Sequence, residues 1–133
     1  MGVRKILLVE SDGLLQDTLV ELLSLQKDLL LTATKTGEKA LIKLKEGFFD
    51  LLIIDSFLPD IDGRELCRRI RQENVKAPII MLLGAEAEPD ENSSLQAEPN
   101  EYITKPFRLD LLLLRIQSQL RKLEKGEDAA YSL

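Results

Sequence analysis

The sequence predicts an α/β fold: a doubly wound, five-stranded parallel sheet with helices on both faces. Two observations carry that prediction. Short apolar runs alternate five times with stretches whose apolar residues fall at helical spacing. The central run, Leu51 to Ile54, is apolar at every position, the pattern of a strand buried on both faces of a parallel sheet. A third observation points to the chemistry. That run ends on Asp55, and a carboxylate at the end of a buried strand is costly unless it meets a cation, a proton or hydrogen-bond donors. Ligands of open parallel sheets sit at the carboxyl ends of the strands, so Asp55 is the first candidate for a functional residue. A capping or turn aspartate is the plainer alternative, and Asp60 and Asp62 are better placed for that task.

Arg4 to Val9 forms the first strand, and it runs into Glu10-Ser11-Asp12-Gly13. Ser11 or Asp12 can cap the helix that follows, whose apolar positions are 14, 15, 19, 22, 23 and 25. Leu29 to Thr34 is the second strand. Thr36-Gly37-Glu38 opens a second helix with Ala40, Leu41 and Leu44 inward, and Gly47 closes it. Asp50 to Asp55 is the third strand. The loop through Pro59 and Gly63 leads to a helix with Leu66, Cys67 and Ile70 inward. Its opposite side carries Arg64, Arg68, Arg69 and Arg71, read as a solvated face. Ile79 to Leu83 is the fourth strand. From Gly84 to Thr104 the chain holds six acidic residues and no lysine or arginine, and a short, weakly anchored helix is expected from about Pro89 to Ala97. Glu101 to Thr104 is the fifth strand, and a last helix runs from about Arg108 to Lys125. Residues 1–125 read as one domain, and 126–133 as a disordered tail or the start of a linker. The flavodoxin-like strand order 2-1-3-4-5 is the common arrangement for five such units. It places the ends of strands one, three and four side by side, with Lys105 next to them.

Composition narrows the function. A length of 133 residues suits one domain, and 44% hydrophobic with 31% charged residues is ordinary for a soluble protein. The net charge of −5 argues against direct nucleic-acid binding. No apolar run is long enough to span a membrane. The single cysteine, Cys67, excludes an internal disulfide and suggests a reducing, cytoplasmic setting. Histidine is absent, which excludes histidine triads, histidine zinc sites and a phosphohistidine step within this chain.

Glu10, Asp55 and Lys105 would then converge at the carboxyl edge of the sheet. Carboxylate and backbone oxygens suit magnesium, which keeps several waters and accepts a phosphate oxygen. A lysine nearby holds a second phosphate oxygen as a point charge. An aspartate so placed is a nucleophile towards phosphorus, forming an aspartyl phosphate. Pro106 allows a cis bond after Lys105.

Ile6-Leu-Leu-Val-Glu10, Asp50-Leu-Leu-Ile-Ile-Asp55 with Leu58-Pro-Asp-Ile-Asp-Gly63, and Tyr102-Ile-Thr-Lys105-Pro-Phe107 occur at spacings that together are highly specific. On these motifs the chain resembles the receiver domain of two-component response regulators, over nearly its whole length. The resemblance implies that Asp55 is the phosphoacceptor and that Lys105 contacts the phosphoryl group. It implies that Glu10, Asp55 and the backbone carbonyl of Phe57 hold magnesium, and that Tyr102 is a rotating aromatic. It implies a histidine kinase or phosphotransfer protein as donor and a downstream protein or fused output domain as receiver of the signal. Dimerisation is compatible with it, and no enzymatic activity is implied beyond the domain's own phosphorylation and dephosphorylation. No membrane or nucleic-acid contact is expected of this domain.

The chain departs from the family pattern at three places. Ser11 stands where the family has a second acid, usually a direct metal ligand. Asp12 is adjacent, with capping as its expected role. Leu83 stands where a serine or threonine hydroxyl bonds the phosphoryl group. Such a bond to a charged group is worth about 1.5–3 kcal/mol, comparable with the ~1–3 kcal/mol of a typical allosteric coupling. The acidic, apolar-poor segment before Tyr102 is the third departure. An alternative follows: a pseudo-receiver that docks proteins without phosphorylation. Enzymes of the same fold are disfavoured. An aspartyl-nucleophile phosphatase would carry a second aspartate where Phe57 stands, and a nucleotide or flavin protein would carry a glycine-rich loop in place of Glu10-Ser-Asp-Gly13.

Overall fold

A computed structural model describes residues 2–84 and 99–132, with the backbone alone for 125–132. The helix expected from Pro89 to Ala97 lies outside the described residues. Five strands, β1 (Arg4–Val9), β2 (Leu29–Thr34), β3 (Leu51–Asp55), β4 (Ile79–Leu83) and β5 (Glu101–Thr104), pair in parallel in the order β2-β1-β3-β4-β5. The helices are α1 (Gly13–Leu23), α2 (Gly37–Glu46), α3 (Gly63–Gln72) and α4 (Leu109–Ser132).

The two faces of the sheet fill two separate cores, because side chains alternate along each strand. Leu7, Val9, Leu52, Ile54, Ile79 and Met81 point toward α2 and α3 and meet Ala40, Leu66, Cys67 and Ile70. Ile6, Leu8, Leu51, Ile53, Ile80 and Leu82 point toward α1 and α4 and meet Leu19, Leu23, Leu112, Ile116 and Leu120. Every residue of β3 and β4 is buried, which is why those two runs carry no alternation in the sequence.

Local chemistry sets the helix starts. Asp12 accepts the N–H groups of Leu14 and Leu15 at 3.0 and 3.2 Å, so the capping role read for it holds. Asp62 does the same for Arg64 at 2.7 Å. At the opposite edge of the sheet, Asp50 accepts the Lys5 N–H at 2.7 Å and pairs with Arg4 at 3.3 Å. Arg4 also reaches Glu124 on α4 at 2.6 Å, tying β1, the start of β3 and the last helix together.

Two expectations change. The sequence places the end of the last helix near Lys125, whereas the structure carries it to Ser132. Gly126 costs about 1 kcal/mol relative to alanine, too little to stop an established helix, and Ala129 and Ala130 favour its continuation. The arginines of α3 are also not simply solvated. Arg71 donates to the carbonyls of Val75 and Ala77 at 2.9 and 2.8 Å and to Asn100 at 3.0 Å, bracing the entry to β4. Arg68 and Arg69 both meet Glu65.

Candidate functional site

Strand order alone brings three side chains to one edge. β1 and β3 are neighbours with Val9 opposite Ile54, so the residues that follow, Glu10 and Asp55, emerge side by side. β4 and β5 pair with Leu83 opposite Thr104, and the Lys105 N–H continues the ladder to the Leu83 carbonyl at 2.7 Å. The Lys105–Pro106 bond is cis. From there Lys105 Nζ lies 2.9 Å from Glu10 Oε1 and 3.3 Å from Asp55 Oδ2. Glu10 is 0% exposed and Asp55 is 4% exposed, so this is a desolvated carboxylate pair bridged by one ammonium.

The electrostatics follow from that burial. Desolvation first, and the neighbouring Asp55 carboxyl second, push Glu10 up to about 7, against the pull of Lys105 and of the Asp12 N–H. Burial acts to lower the Lys105 ammonium, but Glu10 and Asp55 outweigh it and the group is held above its ordinary value.

Glu10 is further fixed through its backbone and its second oxygen. Oε2 accepts the Asp12 N–H at 3.1 Å. The buried Gln16 amide donates to the Glu10 carbonyl at 3.0 Å and to the Thr34 carbonyl at 2.9 Å, anchoring the end of β1 to α1. Gln16 was not singled out from the sequence. Its signal is a polar residue on a helix face otherwise lined by Leu15, Leu19 and Leu23. On the other strand, Asp55 Oδ1 accepts the Phe57 N–H at 3.3 Å. Gly63 packs so tightly over this turn that a Cβ there would lie 2.2 Å from the Asp55 carbonyl oxygen. Ser56 Oγ accepts the Gly84 N–H at 3.4 Å, linking the ends of β3 and β4.

The remaining sequence candidates fall as follows. Ser11 Oγ donates to the Phe57 carbonyl at 3.5 Å, so position 11 faces the same opening as the carboxylates. The Phe57 ring is exposed. Leu83 is 3% exposed and belongs to the core on the α2–α3 face, with Tyr102 packed against the same cluster. The Tyr102 hydroxyl is buried without a hydrogen-bond partner among the described residues.

The donors fit a small hard cation. Glu10, Asp55 and the Phe57 carbonyl all offer oxygen donors, the type that magnesium prefers. Among the described residues no group of three or more Asp, Glu, His or Cys side chains is placed to hold a metal.

The comparisons with known proteins bear on the family and the fold. The family model described as the response regulator receiver domain matches residues 6–117. Regulatory protein VanR of Enterococcus faecium is 36% identical over 121 residues, covering 91% of this chain and 52% of VanR. Transcriptional regulatory protein CiaR of Streptococcus pneumoniae is 30% identical over 118 residues, covering 89% of this chain and 52% of CiaR. The chain thus spans about half the length of these relatives. The crystal structure of a response regulator receiver domain protein (CheY-like) from Methanospirillum hungatei superposes with a TM-score of 0.86 at 28% identity, over 94% of this chain and 99% of that one. With the match extending from β1 into α4 and the same strand order beneath it, this chain belongs to the family of response regulator receiver domains.

Proposed function

We propose that this receiver domain accepts a phosphoryl group on Asp55 from a phosphohistidine of a kinase or phosphotransfer protein. The observation that carries the proposal is the Lys105 ammonium bridging Glu10 and Asp55, at 2.9 and 3.3 Å, at the open edge of the sheet. An Asp55 carboxylate oxygen attacks phosphorus, the donor's P–N bond breaks, and the leaving imidazole nitrogen keeps the electron pair and takes a proton from water. Lys105 is within reach of the attacking carboxylate and donates to a phosphoryl oxygen as charge builds there. The Gln16 and Asp12 contacts hold Glu10 in place. Magnesium, when bound by Glu10, Asp55 and the Phe57 carbonyl, would neutralise charge on the transferred group. By likeness to relatives about twice its length, the domain would signal to an output domain or a downstream protein.

A second reading is supported by Leu83. Its side chain lies in the core and offers no hydroxyl to a phosphoryl group, which favours a docking module insensitive to phosphorylation. Incubation with acetyl phosphate and magnesium, followed by intact mass measurement, distinguishes the two. The first reading expects one phosphoryl adduct, abolished by Asp55→Asn. No adduct at saturating donor would leave the docking reading.

A further inference from the structure

The turn that follows Asp55 is fixed at three heights. At its base the Gly63 N–H donates to the Ser56 carbonyl at 2.9 Å. Above that, Phe57 and Asp62 form an isolated antiparallel bridge. At the tip, Asp60 reaches a different helix. Its Oδ1 accepts the Gly37 N–H at 2.9 Å and its Oδ2 accepts the Glu38 N–H at 2.9 Å. Both carboxylate oxygens are therefore engaged at the start of α2.

This contact completes the start of α2. A helix begins with four N–H groups that lack partners inside it. Thr36 Oγ1 accepts the Lys39 N–H at 3.1 Å, and the first intrahelical bond runs from the Ala40 N–H to the Thr36 carbonyl at 3.1 Å. Asp60 takes the N–H groups of Gly37 and Glu38. The positive end of the helix dipole favours the carboxylate there, and the Gly37 N–H foremost holds Asp60 below the usual carboxylate range. Ile61 closes the joint, since a Cβ on Gly37 would lie 2.3 Å from Ile61 Cγ2. The joint thus requires glycine at 37 for closeness and a two-oxygen acceptor at 60 for pairing.

The geometry points to Asp60 as a positioning residue for the functional site: by clamping the tip of the β3–α3 loop onto α2, it sets where the Phe57 carbonyl presents its oxygen. That carbonyl is the one backbone ligand proposed above, so the metal side of this inference rests on the proposed function. Because Ser11 supplies no charge at the opening, the placement of a neutral carbonyl carries more of the binding. A residue supporting a metal ligand from outside the coordination shell typically changes affinity by about 10–100-fold.

Two variants of the whole chain separate positioning from simple helix capping. Thr36→Ala removes an acceptor from the same helix start and leaves the loop joint intact. Asp60→Ala removes the joint. In metal-free protein, Asp60→Ala is expected to move the backbone amide resonances of Phe57 and Leu58, and Thr36→Ala to leave them in place. With magnesium, Asp60→Ala is expected to weaken binding roughly tenfold or more, and Thr36→Ala to change it less than about twofold. Gly37→Ala, which displaces Ile61, should reproduce the Asp60→Ala shifts. Equal effects of Thr36→Ala and Asp60→Ala on Phe57, Leu58 and magnesium affinity overturn the inference, because α2 stability alone would then account for them. A parent protein that neither binds magnesium nor takes a phosphoryl group defeats the proposed function instead. The Phe57 and Leu58 resonances then decide the positioning role, and their staying in place in Asp60→Ala overturns it.

Discussion

Among the described carboxyl groups, Glu10 departs furthest from its ordinary value. A carboxyl whose folded value lies above its unfolded one holds its proton more tightly when folded. Its contribution to stability is fully present below the unfolded value near 4.5 and is lost as pH rises through about 7. We expect metal-free protein to lose about 2–3 kcal/mol from this source between about pH 5 and about pH 8, and Glu10→Gln to flatten that slope. Urea unfolding across the range measures it, and an unchanged slope in Glu10→Gln would show that Lys105 already neutralises the pair. Asp55 was readable from the sequence because it follows a strand run that is apolar throughout and is costly to bury unpaired, and Lys105 because it follows the short fifth strand in Tyr102-Ile-Thr-Lys105-Pro-Phe107. Gln16 was not readable, since its role depends on two carbonyls, of Glu10 and Thr34, that come together only when β1 pairs with β2. Asp60 was read as a capping or turn residue, but the helix it caps starts 22 and 23 positions earlier, and no local pattern shows that.

Among the elements, β4 carries the most consequential departure. Leu83 ends this strand inside the core, so Leu83→Thr should destabilise the unmodified domain by about 2 kcal/mol or more, through lost packing and a buried hydroxyl. If a hydroxyl at this place bonds the phosphoryl group, phosphorylation should recover about 1.5–3 kcal/mol in the variant. Thermal unfolding with and without phosphodonor reads both quantities, and an identical deficit in the two states would dissociate position 83 from the phosphoryl group. The strand boundaries were legible, because apolar runs end abruptly at charged or turn residues. The end of α4 was not, since one glycine is weak punctuation inside a helix whose following residues favour continuation. Arg71 shows the same limit in side-chain terms: a charge on a helix surface looks solvated until the carbonyls it braces are known.

For the molecule as a whole, the strand order was legible from the alternation of elements and from the handedness that parallel crossovers obey. Burial on both faces of β3 and β4 required two helical layers, and the structure has them as two unconnected cores. The division between those cores also sets an order of events during synthesis. The chain emerges amino terminus first, and β1, β2 and β3 are complete once Asp55 has been made. Their α2–α3 side can be covered by Gln72. The other side, with Ile6, Leu8, Leu51 and Ile53, meets Leu19 and Leu23 of α1 early and waits for Leu112, Ile116 and Leu120 of the last helix to be completed. A nascent chain of this protein therefore presents one covered face and one partly open apolar face between the completion of α3 and that of the last helix. A chain stopped at Arg108 should bind a hydrophobic dye and melt without a sharp transition, whereas one reaching Lys125 should do neither; dye binding that is equal in both would place closure of that face elsewhere. The Arg4–Glu124 contact, which joins residues 120 positions apart, is then the closing stitch, tied only once the last helix has been made.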